Sequence, residues 1–278
     1  MNLTSKSAIK NLLKKHQIQP SKRLGQNFLI DKRAIKKIIW ATDLQPDEIV
    51  LEIGPGIGNL TQELAKKAKK VIAVEKDQKM VEILERFLED WKVKNVLLLK
   101  EDILKLDLKP YNLKTYKLVG NLPFYLTAPV IRKFLETVEV KPQQIVFVVQ
   151  KEVGQRICAK PPNMNLLAVS VHFYAQPKII SYISRKSFWP QPKVDSAIIK
   201  ITPHINRADK LFNEKFFQVL KAGFAQPRKQ ILNNLTKMLK LDKEEVRSWL
   251  LKQGLQPSQR AETLKIRDWI KLTRSLFF

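Results

Sequence analysis

The chain has 278 residues, 44% of them hydrophobic. This is enough for one large domain, or for a large and a small one, around a sizeable core, and it excludes a globally disordered protein. Its 51 Lys and Arg residues against 26 Asp and Glu give a formal net charge of +25, which favours a polyanionic partner, most commonly nucleic acid. A lysine-rich proteome would give the same surplus without such a partner, so charge alone does not decide.

The cysteine and histidine content argues against disulfides and metal sites. Cys158 is the single cysteine, and the three histidines are scattered at His16, His172 and His204, which is no metal-binding pattern. The first 20 residues lack the apolar core of a signal peptide, and no apolar run approaches the ~20 residues that span a bilayer. We expect no metal, no membrane association and a reducing cytoplasmic location.

The first 150 residues have the pattern of an alternating α/β sequence. Residues 1–30 carry six Lys or Arg and no acid, which predicts a basic N-terminal arm, and Asp31 can cap a helix to about Trp40. Predicted strands then cover 49–53, 71–74, 96–99, 118–119 and 145–149, and predicted helices cover 59–68, 77–90 and 127–138. Such alternation predicts a doubly wound parallel sheet with helices on both faces.

The pattern changes after Gln150. Three closely spaced runs, 169–173, 179–183 and 197–201, predict strands and an antiparallel edge to the sheet. From about Asn206 the pattern is helical, with predicted helices at 216–224, 229–239, 244–251 and 266–276. We predict two domains, 1–205 and 206–278, the second a small all-α domain with 16 Lys and Arg against 7 acids.

A glycine-rich loop, Glu52-Ile53-Gly54-Pro55-Gly56-Ile57-Gly58, follows the first of these strands and opens a helix. Glycines at alternate positions let the backbone turn tightly and approach a ligand. The spacing differs from the pyrophosphate-binding fingerprint, and the lysine of a P-loop is missing. A structural turn can also give such a loop, and its placement after a strand and before a helix favours ligand binding.

Acids follow the next two strands. Glu75 ends the second strand, where a carboxylate can accept hydrogen bonds from both hydroxyls of a ribose. Glu101-Asp102 follows the third, where a carboxylate can accept one from an adenine amino group. Three such features at successive strand ends, where open α/β sheets bind ligands, predict an adenosine-bearing cofactor without a pyrophosphate. S-adenosylmethionine fits this description.

The fourth strand leads into Asn121-Leu122-Pro123-Phe124. The amino nitrogen of adenine is a weak nucleophile because its lone pair is delocalised into the ring. The Asn121 side-chain oxygen and the Leu122 carbonyl can accept hydrogen bonds from the two N–H groups of this nitrogen. Pro123 stiffens the loop, and the Phe124 ring can stack on a base that has left its helix. The methyl donor is already activated, so positioning carries much of the rate and no strong base is needed.

At these residues the chain resembles the small-subunit ribosomal RNA adenine dimethyltransferases, nearly from end to end. Besides the segments above, the resemblance rests on Leu24–Leu29 with its Gln-Asn-Phe-Leu motif, on 150–153, on 188–197, and on 223–229 and 260–262 in the tail. It implies a Rossmann-like class I methyltransferase sheet, parallel with an antiparallel edge, followed by a helical domain that binds RNA or the ribosome.

The resemblance also implies roles for individual residues. Cofactor contacts fall on Asn27, Leu29, Gly54, Glu75, Asp102 and Asn121, and the methylation loop on Asn121, Leu122, Pro123 and Phe124.

The resemblance further implies a reaction. The enzyme would transfer methyl groups from S-adenosylmethionine to N6 of two adjacent adenosines in the 3′-terminal hairpin of small-subunit ribosomal RNA, within a pre-ribosomal 30S particle, giving N6,N6-dimethyladenosines and S-adenosylhomocysteine. We expect a monomer whose basic arm orders only on RNA.

One departure and two alternatives accompany this hypothesis. The family usually has tyrosine at the position of Phe124, so this chain keeps the stacking face and loses a hydroxyl. An enzyme of the same fold that methylates large-subunit RNA, of the macrolide-resistance type, is the nearest alternative. A non-catalytic RNA-binding assembly factor is the second.

Overall fold

A seven-stranded sheet forms the centre of the larger part of the molecule, in the order β4-β3-β2-β5-β6-β9-β7. The computed structural model describes residues 3–21, 24–204 and 209–277. Lys22, Arg23 and the predicted domain boundary between residues 205 and 206 lie outside this range. The strands are β1 (Phe28–Leu29), β2 (Ile49–Ile53), β3 (Lys70–Glu75), β4 (Val96–Lys100), β5 (Lys117–Asn121), β6 (Gln144–Gln150), β7 (Ala175–Ile183), β8 (Phe188–Trp189) and β9 (Ser196–Pro203).

Each predicted helix is present with shifted ends, and three further helices, at 6–15, 151–157 and 166–174, were not predicted. The helices are α1 (Lys6–Lys15), α2 (Lys32–Thr42), α3 (Thr61–Ala65), α4 (Gln78–Asp90), α5 (Thr127–Arg132), α6 (Lys151–Ile157), α7 (Leu166–Tyr174), α8 (Lys210–Gly223), α9 (Ile231–Leu239), α10 (Lys243–Lys252) and α11 (Ile266–Phe277). The predicted helix 127–138 is α5 continued by a π-helical stretch, Lys133–Thr137. No described helix is long and apolar enough to cross a membrane.

The predicted α/β sheet with an antiparallel edge is confirmed. Strands β4, β3, β2, β5 and β6 are mutually parallel, and β9 pairs antiparallel with β6. Alternate strand residues face one layer of helices, because successive side chains of a strand point to opposite faces. Val50, Val71 and Val119 pack with Ile38 of α2 and Leu64 of α3, while α4 contacts β3 and β4 without sharing that cluster.

The chain divides into two compact units, Met1–Gly154 with Pro177–Pro203, and Gln155–Gln176 with His204–Phe278. The predicted division at 205/206 differs from this in residues 155–176, which belong to the second unit. They do so because α7 packs into the helical core there, where the Phe173 ring stacks on Phe216 with centroids 3.9 Å apart.

The predicted strand at 169–173 is wrong, since these residues lie in helix α7. The Asn165 side chain caps the helix by accepting a hydrogen bond from the Ala168 amide at 3.0 Å. The Ser170 hydroxyl donates to the Leu166 carbonyl one turn back. A short run that is apolar on all sides does not distinguish a strand from a buried helix, and the neighbouring helices decide in favour of the helix.

The N-terminal arm was expected to be disordered without RNA, and the structure corrects this. Residues 6–15 form α1, and the Ser5 hydroxyl caps it by accepting from the Ala8 amide at 3.4 Å. Ile9 and Leu13 are buried in a cluster with Met80 and Phe87 of α4. The segment is positively charged overall, but it also has an apolar stripe, and this stripe packs on α4.

This docking predicts a stability difference within one helix. Ile9→Ala removes a fully buried side chain and should lower the free energy of unfolding of the first unit by about 2 kcal/mol or more, measured by urea denaturation. Lys10→Ala, at the exposed neighbouring position, is the matched control and should stay within about 0.5 kcal/mol of wild type. Equal stability of the two variants would mean that α1 is not docked.

Candidate active site

The parallel register brings three functional strand ends to one edge of the sheet. Ile53 of β2 is level with Val74 of β3 and with Gly120 of β5. The next residues along these strands are therefore neighbours at the carboxyl edge: Gly54, Glu75 and Asn121. A cleft opens at this edge, which is where open α/β sheets bind ligands.

The glycine loop forms one wall of the cleft. Gly54, Gly56 and Gly58 all have positive φ angles, of 65°, 56° and 89°, a region that favours glycine. The Gly54 amide donates to the Val74 carbonyl at 2.9 Å. A Cβ on Gly54 would meet nothing within 4 Å, so this part of the backbone faces open space that a ligand can enter.

Glu75 is held by backbone amides rather than by cations. Its Oε2 accepts from the Gly56 amide at 3.1 Å, and its Oε1 accepts from the amides of Lys76 and Asp77, each at 2.9 Å. Burial raises the pKa of the Glu75 carboxyl, and these three hydrogen bonds oppose the rise. Each oxygen can accept more than one bond, so the fixed carboxyl can also bind hydroxyl groups in the cleft.

Glu52 is a second carboxyl at the cleft, and sequence reasoning gave it no role. Its side chain is 1% exposed and lines the cleft. Burial raises its pKa to about 8, the Thr61 hydroxyl lowers it, and the Glu75 charge raises it. Its Oε2 has no hydrogen-bond partner among the described residues. A buried acceptor without a donor is unfavourable, so a cationic or N–H-bearing ligand would stabilise it.

Asp102 follows β4 and is fixed in its ionised form. Its Oδ2 pairs with the Lys76 ammonium at 2.8 Å and its Oδ1 accepts from the Leu104 amide at 3.0 Å. The Lys76 hydrogen bond, followed by that of the Leu104 amide, lowers the pKa of Asp102 against the opposing effect of burial.

Lys133 holds the loop that follows β4 through two hydrogen bonds to its backbone. The Lys133 ammonium, in the π-helical stretch after α5, donates to the carbonyls of Ile103 at 2.8 Å and Leu106 at 2.7 Å. Burial lowers its pKa, while the charges of Asp102 and Asp107 raise it. The residues Asp102, Ile103 and Leu104 of this loop line the cleft, so Lys133 sets their position.

The side-chain amide of Asn121 uses its NH₂ group in a hydrogen bond within the protein, and its oxygen can accept one from a ligand. Its Nδ2 donates to the Asn27 carbonyl at 3.0 Å, which fixes the orientation of the amide because only the NH₂ end can donate. Within the described residues no group donates to Oδ1, which remains an acceptor at the cleft. The loop itself is tied to β6, since the Leu122 amide donates to the Val148 carbonyl at 3.2 Å.

The segment Leu24–Leu29 covers the strand ends. Strand β1 pairs antiparallel with β8, with Phe28 opposite Trp189. Gly25 approaches the loop Asn121–Phe124 so closely that a Cβ on Gly25 would lie 3.0 Å from the Cβ of Pro123. The Gln26 side chain donates to Asp77 at 2.6 Å. This segment therefore links Asp77, next to the Glu75 side of the cleft, to the Asn121 loop.

Aromatic side chains stand at the mouth of the cleft. Phe124 is 38% exposed and Tyr125 is 57% exposed, which is high for large rings and suits stacking on a base. The proline-containing loop 188–197 contributes Phe188, Pro192 and Ser196 to the lining.

All of the site residues named from the sequence line this one cleft: Asn27, Leu29, Gly54, Glu75, Asp102, Asn121, Leu122, Pro123 and Phe124. Sequence reasoning missed Glu52, Gln26, Lys76 and Lys133. The first two lie within motifs that were noticed for their neighbours. The two lysines carried no signal among so many cations.

Comparison with known proteins agrees with this geometry. The family model described as ribosomal RNA adenine dimethylase matches residues 17–276. A relative from Dehalococcoides mccartyi, named ribosomal RNA small subunit methyltransferase A, is 41% identical over 95% of this chain and 90% of its own length.

Two solved structures share the fold over most of the chain. A dimethyladenosine transferase from Plasmodium falciparum has a TM-score of 0.72 and 25% identity, covering 87% of this chain and 94% of its own. The 23S rRNA methyltransferase ErmE has a TM-score of 0.74 and 25% identity, covering 90% and 99%. On the extent of the family match and the identity to its relatives, this chain belongs to the ribosomal RNA adenine dimethylase family.

Proposed function

We propose that this enzyme transfers methyl groups from S-adenosylmethionine to N6 of two adjacent adenosines in the 3′-terminal hairpin of small-subunit ribosomal RNA. Its substrate is a pre-ribosomal 30S particle, its products are N6,N6-dimethyladenosines and S-adenosylhomocysteine, and it acts as a monomer in ribosome biogenesis. The observation that carries the proposal is the convergence, in one cleft, of a glycine loop, strand-end carboxyls and an asparagine with a free acceptor oxygen.

The donors and acceptors of the cleft fit S-adenosylmethionine. Gly54 leaves open space beside the backbone, Glu75 suits ribose hydroxyls, and Asp102 suits an amino group of adenine. The unpartnered Oε2 of Glu52 suits a cation. When bound, S-adenosylmethionine supplies a methyl group already activated by a positively charged sulfur.

Asn121 and Leu122 orient the target nitrogen. The Asn121 Oδ1 and the Leu122 carbonyl accept hydrogen bonds from the two N–H groups of adenine, which increases electron density on the nitrogen. The hydrogen bond from Asn121 to the Asn27 carbonyl holds the amide in this orientation. Phe124 stacks on the unstacked base. Positioning of this kind contributes to the rate without a strong base.

The helical second unit binds ribosomal RNA in this proposal. The segment 206–278 carries 16 Lys and Arg against 7 acids, a surplus that favours contact with phosphates.

The cofactor assignment predicts an effect of Glu75→Gln. The substitution keeps the shape and removes the charge and one acceptor oxygen, so S-adenosylhomocysteine should bind at least tenfold more weakly by calorimetry. Glu85→Gln, on the exposed side of α4, is the control and should bind as wild type does. An unchanged dissociation constant in Glu75→Gln would exclude the ribose contact.

The base-site assignment predicts that Asn121→Ala abolishes methyl transfer. Loss of a preorganised acceptor should lower kcat by about 100-fold or more, while RNA binding persists because the RNA contacts elsewhere are intact. Methyl incorporation and RNA binding would be measured on the same preparation. Unchanged turnover in this variant would refute the role of Asn121.

The choice of substrate distinguishes the proposal from its nearest alternative, an enzyme that methylates large-subunit RNA. The structural similarity to ErmE fits that alternative as well. We expect methylation of small-subunit precursor particles, with two adjacent N6,N6-dimethyladenosines detected by mass spectrometry of the RNA. Activity on naked large-subunit RNA alone would support the alternative. Binding without methylation of either substrate would support a non-catalytic assembly factor.

A further inference from the structure

The outer face of α1 carries a regular row of positive charge. Lys6, Lys10 and Lys14 are exposed and lie at four-residue intervals, so they occupy one stripe of the helix about 6 Å apart along its axis. The apolar stripe of Ile9 and Leu13, about a quarter turn around the same helix from Lys10, packs on the first unit. The row is therefore presented on a docked element rather than on a disordered tail.

The lysines of this row have no acidic partners in the described part of the chain. Helix α1 contains no Asp or Glu, and no carboxylate described in the structure lies within ion-pair distance of Lys6, Lys10 or Lys14. Some other exposed helices carry internal pairs, such as Arg247 with Glu244 of α10 at 3.2 Å, whereas α2 also has exposed cations and no acid. An ordinary solvated helix face mixes the two signs of charge, and this one does not.

The row also opposes the stability of its own helix. Like charges four residues apart repel each other, and Lys6 lies in the first turn, where the helix dipole disfavours a cation, although the dipole favours Lys14 in the last turn. A polyanion bound along the row would remove both penalties. Local unfavourable choices of this kind are expected at functional surfaces.

The position of α1 connects the row to the cleft. Ile9 and Leu13 share their cluster with Phe28 and Ile57, which both line the cleft. The Asn59 side chain, also at the cleft, donates to the Leu3 carbonyl at 2.8 Å, just before the helix. A ligand on α1 therefore lies on an element that packs directly against the wall of the active site.

We propose that the exposed face of α1 formed by Lys6, Lys10 and Lys14 is a preformed docking surface for the phosphate backbone of the substrate RNA. This inference rests on the function proposed above, because it assigns a surface to the same RNA. The occupant is RNA, since a row of equally spaced cations matches a regularly charged backbone, and the helix that carries the row packs against residues that line the cleft.

The test is a triple variant, Lys6→Ala, Lys10→Ala and Lys14→Ala, compared with a matched triple variant elsewhere. Alanine favours helix, and circular dichroism together with binding of S-adenosylhomocysteine would verify that the fold is retained. The control, Lys67→Ala, Lys69→Ala and Lys70→Ala, also removes three exposed cations and changes the net charge equally. Binding of the 3′-terminal hairpin of small-subunit RNA would be measured from 50 to 200 mM salt.

Loss of three phosphate contacts should reduce the slope of log K against log salt by about 2 to 3, with weaker binding at every salt concentration, while the control keeps the wild-type slope. The inference is overturned if the α1 triple variant keeps the wild-type slope, or if both variants lose it equally.

The activity of the wild-type enzyme on 30S precursors distinguishes the α1 surface from the proposed function. With that activity present, an unchanged slope refutes the α1 surface alone. Absence of both activity and RNA binding in wild type would refute both.

Discussion

The candidate active site depends on the register of three parallel strands. Because β3, β2 and β5 are level at Val74, Ile53 and Gly120, their last residues emerge side by side, about 5 Å apart from strand to strand. Gly120 lets β5 approach β2 closely, since a Cβ there would lie 2.9 Å from the Ile53 carbonyl. A one-residue slip would invert the side chains on the shifted strand and would separate Glu75 or Asn121 from the glycine loop.

The second requirement is closure of this edge by a distant segment. Asn121 owes its orientation to the Asn27 carbonyl, and Asn27 is held because the adjoining strand β1 pairs with β8. Sequence patterns predicted the large sheet, because β-branched runs and glycine turns are local signals. They could not predict this closure, which joins two-residue strands far apart in the chain, and Asn27 was identified only through resemblance to a family.

The other features that the sequence did not predict have a common physical origin, because each depends on contacts between distant parts of the chain. The sequence pattern predicts a strand at 169–173 in place of helix α7, because a short apolar run fits both a strand and a buried helix. The neighbouring helices decide between these two structures. Helix α1 was read as a disordered arm because its lysines dominated its composition, although Ile9, Leu12 and Leu13 are spaced for one buried helix face. Lys133 could not be chosen among the many lysines, since its role follows from two carbonyls brought to it by the fold.

Opposite electrostatic requirements coexist in this protein because they act over different distances. The net charge of +25 attracts an RNA polyanion, whereas the cleft concentrates the carboxyls of Glu52, Glu75 and Asp102, which suit a cationic cofactor. Surface charges are screened beyond about 8 to 10 Å at physiological salt, while buried groups are screened much less. Burial raises the pKa of Glu52 to about 8, and a positive charge in the cleft would favour the ionised form of this carboxyl. The cleft can therefore select a cation inside a protein whose surface selects an anion.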